Sequence, residues 1–265
     1  KGIALAPLDR TIDEAGIRYG FVSVDIDRGA RIATISIKAP EMAPPADIDG
    51  LIAQGASFWP LQVARELDDA ILHLRINELE IAMLLFKSHG DPAHVVACDA
   101  FLEANKAHWL VNEIRHYWKR VLKRIDVTSR TLVTLVEPGS CFAGTLAELV
   151  FAADRSYMLI GSRQGDNRAP PAIQLTALNF GPYPMSHGLT RLAVRFCGDP
   201  GKVDALAGQP RVYDPTDAEE AGLVTVVADE IDYQDEVRVA IEERVSLSPD
   251  ALTGMEASLR FPGNE

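Results

Sequence analysis

Material for disulfides is scarce in this sequence. Among 265 residues there are three cysteines, Cys98, Cys141 and Cys197. They are widely spaced, form no CxxC pair and leave one over in any pairing, so reduced thiols of a cytoplasmic protein are expected. Long apolar runs are missing as well. None approaches the roughly 18–20 residues of a membrane span, so no membrane partner is expected. Positive charge is also short: 26 Lys and Arg against 38 Asp and Glu leave a net −12. That balance argues against a nucleic-acid partner, which needs a basic face to neutralise phosphates. It still admits a phosphate-bearing ligand at a local basic rim. His89 and His94 bracket Gly90-Asp91-Pro92 at a spacing that suits no zinc pattern; they read as surface loop, and no metal is expected.

What the chain does have is a core. With 47% hydrophobic residues it can fold without a metal or disulfide staple. Tyr19–Asp27 and Arg31–Lys38 alternate apolar and polar residues around Arg28-Gly29-Ala30, which predicts a β-hairpin. A proline-bearing linker follows at Ala39–Asp49. Apolar residues at helical spacing (Leu61, Val63, Leu67, Ile71, Leu74) predict a helix over Trp59–Arg75. Glu80–Phe86 and Leu132–Val136 read as strands buried on both faces. Between them the pattern predicts a loop over Lys87–Asp99 and one long helical stretch over Phe101–Arg124, with Trp109 and Trp118 as core or interface anchors. Later strands are expected at Tyr157–Ile160, Ile173–Leu175 and Val224–Val227, and helices at Gly144–Ala152, Gly188–Phe196, Val203–Ala207 and Thr216–Ala221. A charged helix begins near Tyr233. Short buried strands alternating with helices imply an α/β domain with crossover connections.

The chemistry concentrates in Glu137–Asp154. The segment LVEPGSCFAGTLAELVFAADRSYML sets a buried strand, a glycine-containing turn and a helix in sequence. The first N–H groups of such a helix can hold a developing oxyanion. Glu148, a few residues further, is placed to move protons beside it. Cys141 precedes the turn with no nearby His and reads as a buried structural thiol, as does Cys98.

This segment resembles the signature of the crotonase (enoyl-CoA hydratase/isomerase) superfamily, a strand, a GxxxGGG-type turn, then ELA and a closing Asp. Three further stretches agree. GPYPMSHGLTRL (Gly181–Leu192) matches GxxPxxGGxxRL, TDAEEAGLVTVV (Thr216–Val227) matches AxxAxxxGLVxxVV, and VVACDAF (Val95–Phe101) takes the place of the AGAD loop. The resemblance implies a crotonase-type (ClpP/crotonase) α/β spiral of ββα units with peripheral helices over residues 50–265. Residues 1–49 would form an N-terminal hairpin and linker. It also implies an acyl-CoA thioester substrate, no cofactor beyond that CoA, and a homo-oligomer, expected to be a dimer.

Carried over residue by residue, the resemblance makes Glu148 the catalytic carboxylate. Ala97 and Thr145 become the backbone N–H donors of an oxyanion hole. Gly144 and His187 would contact substrate, and Lys119, Arg120 and Lys123 would meet the CoA phosphates. The chain departs from the pattern twice. Thr145 and Leu146 replace two glycines of the turn, which restricts close approach of a ligand. Ala177 stands where hydratases place a second glutamate, so the two-carboxylate machinery for water addition is incomplete.

The run LVEPGSCFAGTLAEL after an aromatic-basic helix resembles the benzoyl-CoA-dihydrodiol lyase branch, whose members carry two crotonase-like halves and open the ring of an epoxidised benzoyl-CoA with loss of formate. The segment resembles the second half. It begins on Lys1 and ends on the turn-like Phe261-Pro262-Gly263-Asn264-Glu265, and a longer polypeptide is expected. Three roles stay open: a working half of such an enzyme, a degenerate half serving dimerisation and support of the other, or an independent acyl-CoA isomerase that manages with one carboxylate.

Overall fold

Alternation of buried and exposed side chains along residues 22–38 builds the first part of the sheet. The computed structural model describes residues 2–161, 165–208 and 211–261, so the turn expected at 262–265 lies outside the described residues. Strands β1 (Thr11–Asp13), β2 (Gly16–Arg18), β3 (Val22–Asp27) and β4 (Ile32–Lys38) form an antiparallel meander, with Val24 opposite Ile35. From β4 onward the pairing is parallel. Strands β5 (Met83–His89), β6 (Thr131–Val136) and β7 (Arg155–Leu159) follow in order. Strands β8 (Ile173–Gln174) and β9 (Val212–Tyr213) make a separate two-stranded ladder, and β10 (Val226–Ala228) closes the main sheet beside β7.

The helices are α1 (Ile48–Gln54), α2 (Trp59–Asn77), α3 (Pro92–Ala104), α4 (Trp109–Asp126), α5 (Glu148–Ala152), α6 (Arg191–Arg195), α7 (Pro200–Gly208), α8 (Pro215–Glu220), α9 (Glu230–Val245) and α10 (Pro249–Arg260). None is long and apolar enough to cross a membrane among the described residues.

The main core lies between one face of the sheet and α2 and α4. Ile17, Val24, Ile35 and Ile37 of the meander share it with Leu67, Ile71, Trp118 and Leu122. A boundary after residue 49 therefore does not separate two cores: the hairpin is part of the same sheet. Buried Glu66 of α2 fastens the two together, accepting from the backbone N–H groups of Phe21 (2.8 Å) and Val22 (3.0 Å). Trp118 Nε1 donates to the Pro60 carbonyl at 2.8 Å. The other face of the sheet, with Met83, Leu85, Val133 and Leu135, is covered by Tyr233 and Ala240 of α9.

Two expected elements are corrected. The loop over 87–99 is instead the end of β5 and most of α3. Asp91 caps that helix, its side chain accepting from the Ala93 N–H, and Pro92 occupies the first turn, where no donor is missed. The single helix over 101–124 is two. Asn105 ends α3 with both its backbone and side-chain N–H groups on the Phe101 carbonyl, and α4 restarts at Trp109.

Candidate functional site

Beyond β6 the chain makes a tight return held by the Ser140 hydroxyl, which accepts from the Glu137 N–H at 2.9 Å. It then winds through a 3-10 turn over Gly144–Ala147 into α5. Glu148 opens α5 and is 1% exposed. Both of its oxygens are engaged: Asn179 Nδ2 donates to Oε1 at 2.7 Å, and Arg191 Nη1 donates to Oε2 at 2.8 Å. Arg191, equally buried, also forks onto Asp126 at the end of α4, through Nε (2.9 Å) and Nη2 (2.6 Å). Burial pushes the Glu148 pKa up, while Arg191 and Asn179 pull it down. Asn179 itself is fixed by a capping box with Thr176.

The turn before Glu148 is occupied from within. The Thr145 N–H donates to Asp99 Oδ2 at 2.8 Å, and its hydroxyl donates to Oδ1 at 2.6 Å. Thr176 Oγ1 adds a third bond to Oδ2 at 3.2 Å. Tyr183 OH lies 3.3 Å from Thr145 Oγ1. Since the Thr145 proton goes to Asp99, the phenol is the donor there. Burial pushes the Asp99 carboxyl up to about 7, against the bonds from Thr145 and Thr176, which favour its charged form. Gly144 (φ +46°) leaves the space this carboxylate fills, since a Cβ there would stand 1.7 Å from Asp99 Oδ2. Outside lies a groove of about 430 Å³, lined by Val96, Asp99, Ala100, Thr176, Ala177 and Leu178.

The expected site residues thus scatter. Glu148, Thr145 and Gly144 come together; the others do not join them. Ala97 is the sixth residue of α3 rather than part of a loop. Beyond the first four residues of a helix the N–H groups are bonded within it, so Ala97 is not an oxyanion donor. His187 is exposed, its Nδ1 accepting from the Leu189 N–H, and its ring meets Phe261 edge-on at 5.5 Å. Arg120 lines a different groove with Leu61 and Trp109, lies 4.3 Å over the Tyr117 ring and pairs with Asp68 at 3.7 Å. Lys119 and Lys123 lie half-buried on the same helix and do not line the groove at Asp99. Cys98 and Cys141 are buried, and burial pushes their thiols up to about 12 and about 11. Neither is a thiolate at neutral pH.

Asp99, Thr176, Asn179, Arg191 and Asp126 carry the site's polar bonds, and sequence reasoning gave none of them this role. The Thr-x-x-Asn spacing of the capping box was a readable signal. Nothing local marks Asp99, which the sequence pattern set at the end of a loop and the structure sets within α3.

No protein-family model matches the chain. Over 262 residues it is 47% identical to the benzoyl-CoA-dihydrodiol lyase of Aromatoleum evansii, covering 98% of this chain and 46% of that protein. The chain therefore spans about half the length of that curated relative. Among solved structures it resembles an enoyl-CoA hydratase/isomerase from Marinobacter aquaeolei (TM-score 0.61, 16% identity, covering 92% of this chain and 84% of that one). It also resembles an enoyl-CoA hydratase/isomerase from Cupriavidus metallidurans CH34 (TM-score 0.59, 17% identity, covering 97% and 82%). The fold is that of the crotonase enoyl-CoA hydratases.

Proposed function

Proceeding from the crotonase fold and the likeness to benzoyl-CoA-dihydrodiol lyase, we propose that this chain is one half of an acyl-CoA lyase in aromatic degradation, and that this half supports the chemistry instead of performing it. The complete enzyme would open the ring of an epoxidised benzoyl-CoA to a dehydroadipyl-CoA semialdehyde and formate. It would use a thioester oxyanion hole, carboxylates as proton carriers and no cofactor apart from the substrate's own CoA. A cytoplasmic homodimer completes the reading.

The observation that carries the supporting role is the filled turn. An oxyanion hole needs N–H groups aimed at empty space; here the Thr145 N–H is bound by Asp99, and Glu148 is closed by Arg191 and Asn179. Ala177 supplies no second carboxylate. The alternative, proton transfer by Glu148 in this half, is favoured by one observation, its burial-raised pKa.

Glu148→Gln in the complete enzyme separates the two. Under the supporting role kcat stays within about threefold. A loss of about 10²-fold or more, with an unchanged circular dichroism spectrum, overturns that role and makes Glu148 a catalytic residue.

A further inference from the structure

In the turn before α5 the arrangement around Asp99 has the form of a liganded site. Three donors converge on one carboxylate: the Thr145 N–H, the Thr145 hydroxyl and the Thr176 hydroxyl. The carboxylate is not a solvated surface acid, being 2% exposed. Nor does it pair with a cation among the described residues, where its bonds come from neutral groups. A buried charge held only by neutral donors is costly in an apolar interior, and ion pairing is the commoner solution. The donors are themselves held by other parts of the fold. Thr145 sits in the turn before α5, Thr176 heads the capping box, and Tyr183 backs the Thr145 hydroxyl. Gly144 keeps the space clear. Only the occupant comes from α3, and the groove of about 430 Å³ opens directly beside it.

We propose that the Thr145–Thr176 turn is a carboxylate-binding subsite, permanently filled in the native chain by the side chain of Asp99. With Asp99 shortened to alanine, the ligand class that fits is a small carboxylate, such as formate or acetate, entering through the groove between α3 and the turn at 177–180. Asp99 acts as a built-in ligand that closes the subsite to anything from outside. The inference rests on the supporting role proposed above, which it deepens by naming what shuts the pocket.

The test is chemical rescue, and it reads binding without reference to turnover. Asp99→Ala is compared with the native chain at pH 8 in equal ionic strengths of sodium chloride, acetate and formate. Thermal unfolding of the variant is expected to rise by several degrees in acetate or formate relative to chloride, saturably, while the native chain shows no such difference. Equal shifts in variant and native chain mean a general salt effect and overturn the proposal. Where Asp99→Ala does not fold in chloride, the same comparison is made on refolding yield. Yields that are higher in carboxylate support the subsite; equal yields overturn it. A second variant, Thr176→Val in the Asp99→Ala background, removes one donor and is expected to weaken the acetate midpoint by about 5- to 10-fold, as for one hydrogen bond. An unchanged midpoint places the ion elsewhere and sinks the assignment. Failure here leaves the Glu148→Gln result untouched, so the two readings fail separately.

Discussion

Arg191 is the residue on which the buried polar network turns. Its guanidinium joins Glu148 to Asp126, three side chains each no more than 2% exposed. Arginine suits the place because its fork matches a carboxylate in two bonds and keeps its charge when buried. Arg191→Met leaves two buried carboxylates without a cation. The expected cost is about 3–5 kcal/mol, read as a drop in the urea midpoint. A cost under about 1 kcal/mol would mean that water reaches the pair. Sequence matching picked out Arg191 and Glu148 separately. Their contact was not visible, because 43 residues separate them and no local pattern encodes a bond across that distance.

At the scale of elements, α3 decides what the site can do. It delivers Asp99 to the turn, and it begins where a loop was expected because the Asp91-Pro92 pair is a helix start. Asp91→Ala removes the cap from the Ala93 N–H and is expected to cost about 1 kcal/mol in global stability. Amide exchange within the first turn of α3 should rise by more than it does in α4. Equal acceleration everywhere would show that the cap acts on the whole fold and not on this helix. The helix signal was present in the sequence, as Asp followed by Pro. The apolar run Val95-Val96-Ala97 masked it, since family matching pulled that run into a loop. The hairpin over 19–38, the α2 helix and the β6–α5 turn were all legible, because each follows from its own spacing of apolar residues and glycines.

At the scale of the whole molecule, pH is the useful lever. Burial pushes Asp99 up to about 7. Glu256 of α10 is pushed up to about 8, by burial first and then by its hydrogen bond to Asp154. Arg260 opposes that shift on Glu256, and it ties α10 down through Asp154 and the carbonyls of Asp126 and Arg130. Both carboxyls hold protons in the folded chain that the unfolded chain has released above about pH 4. Their contribution is therefore full below that value and is lost as pH rises through about 7 and 8. The urea midpoint is expected to fall between pH 5 and pH 9. Glu256→Gln, which keeps a donor toward Asp154 at every pH, should make that fall shallower. An equally steep profile in the variant would remove Glu256 from the effect.

By itself the sequence determined the α/β character, most strands and helices, and the Glu137–Asp154 segment as the site's backbone. Those follow from periodicity and turn chemistry, which act over a few residues. The chain's resemblance to the hydratase pattern sets Ala177 opposite that pattern's second glutamate, and the identity of that residue needs no coordinates. Only the tertiary structure decided that the turn is filled. Asp99 and Thr145 are 46 residues apart and meet because α3 packs against the 3-10 turn. Whether an N–H is free or bound is a property of what the fold brings opposite it, and spacing along the chain does not carry that information.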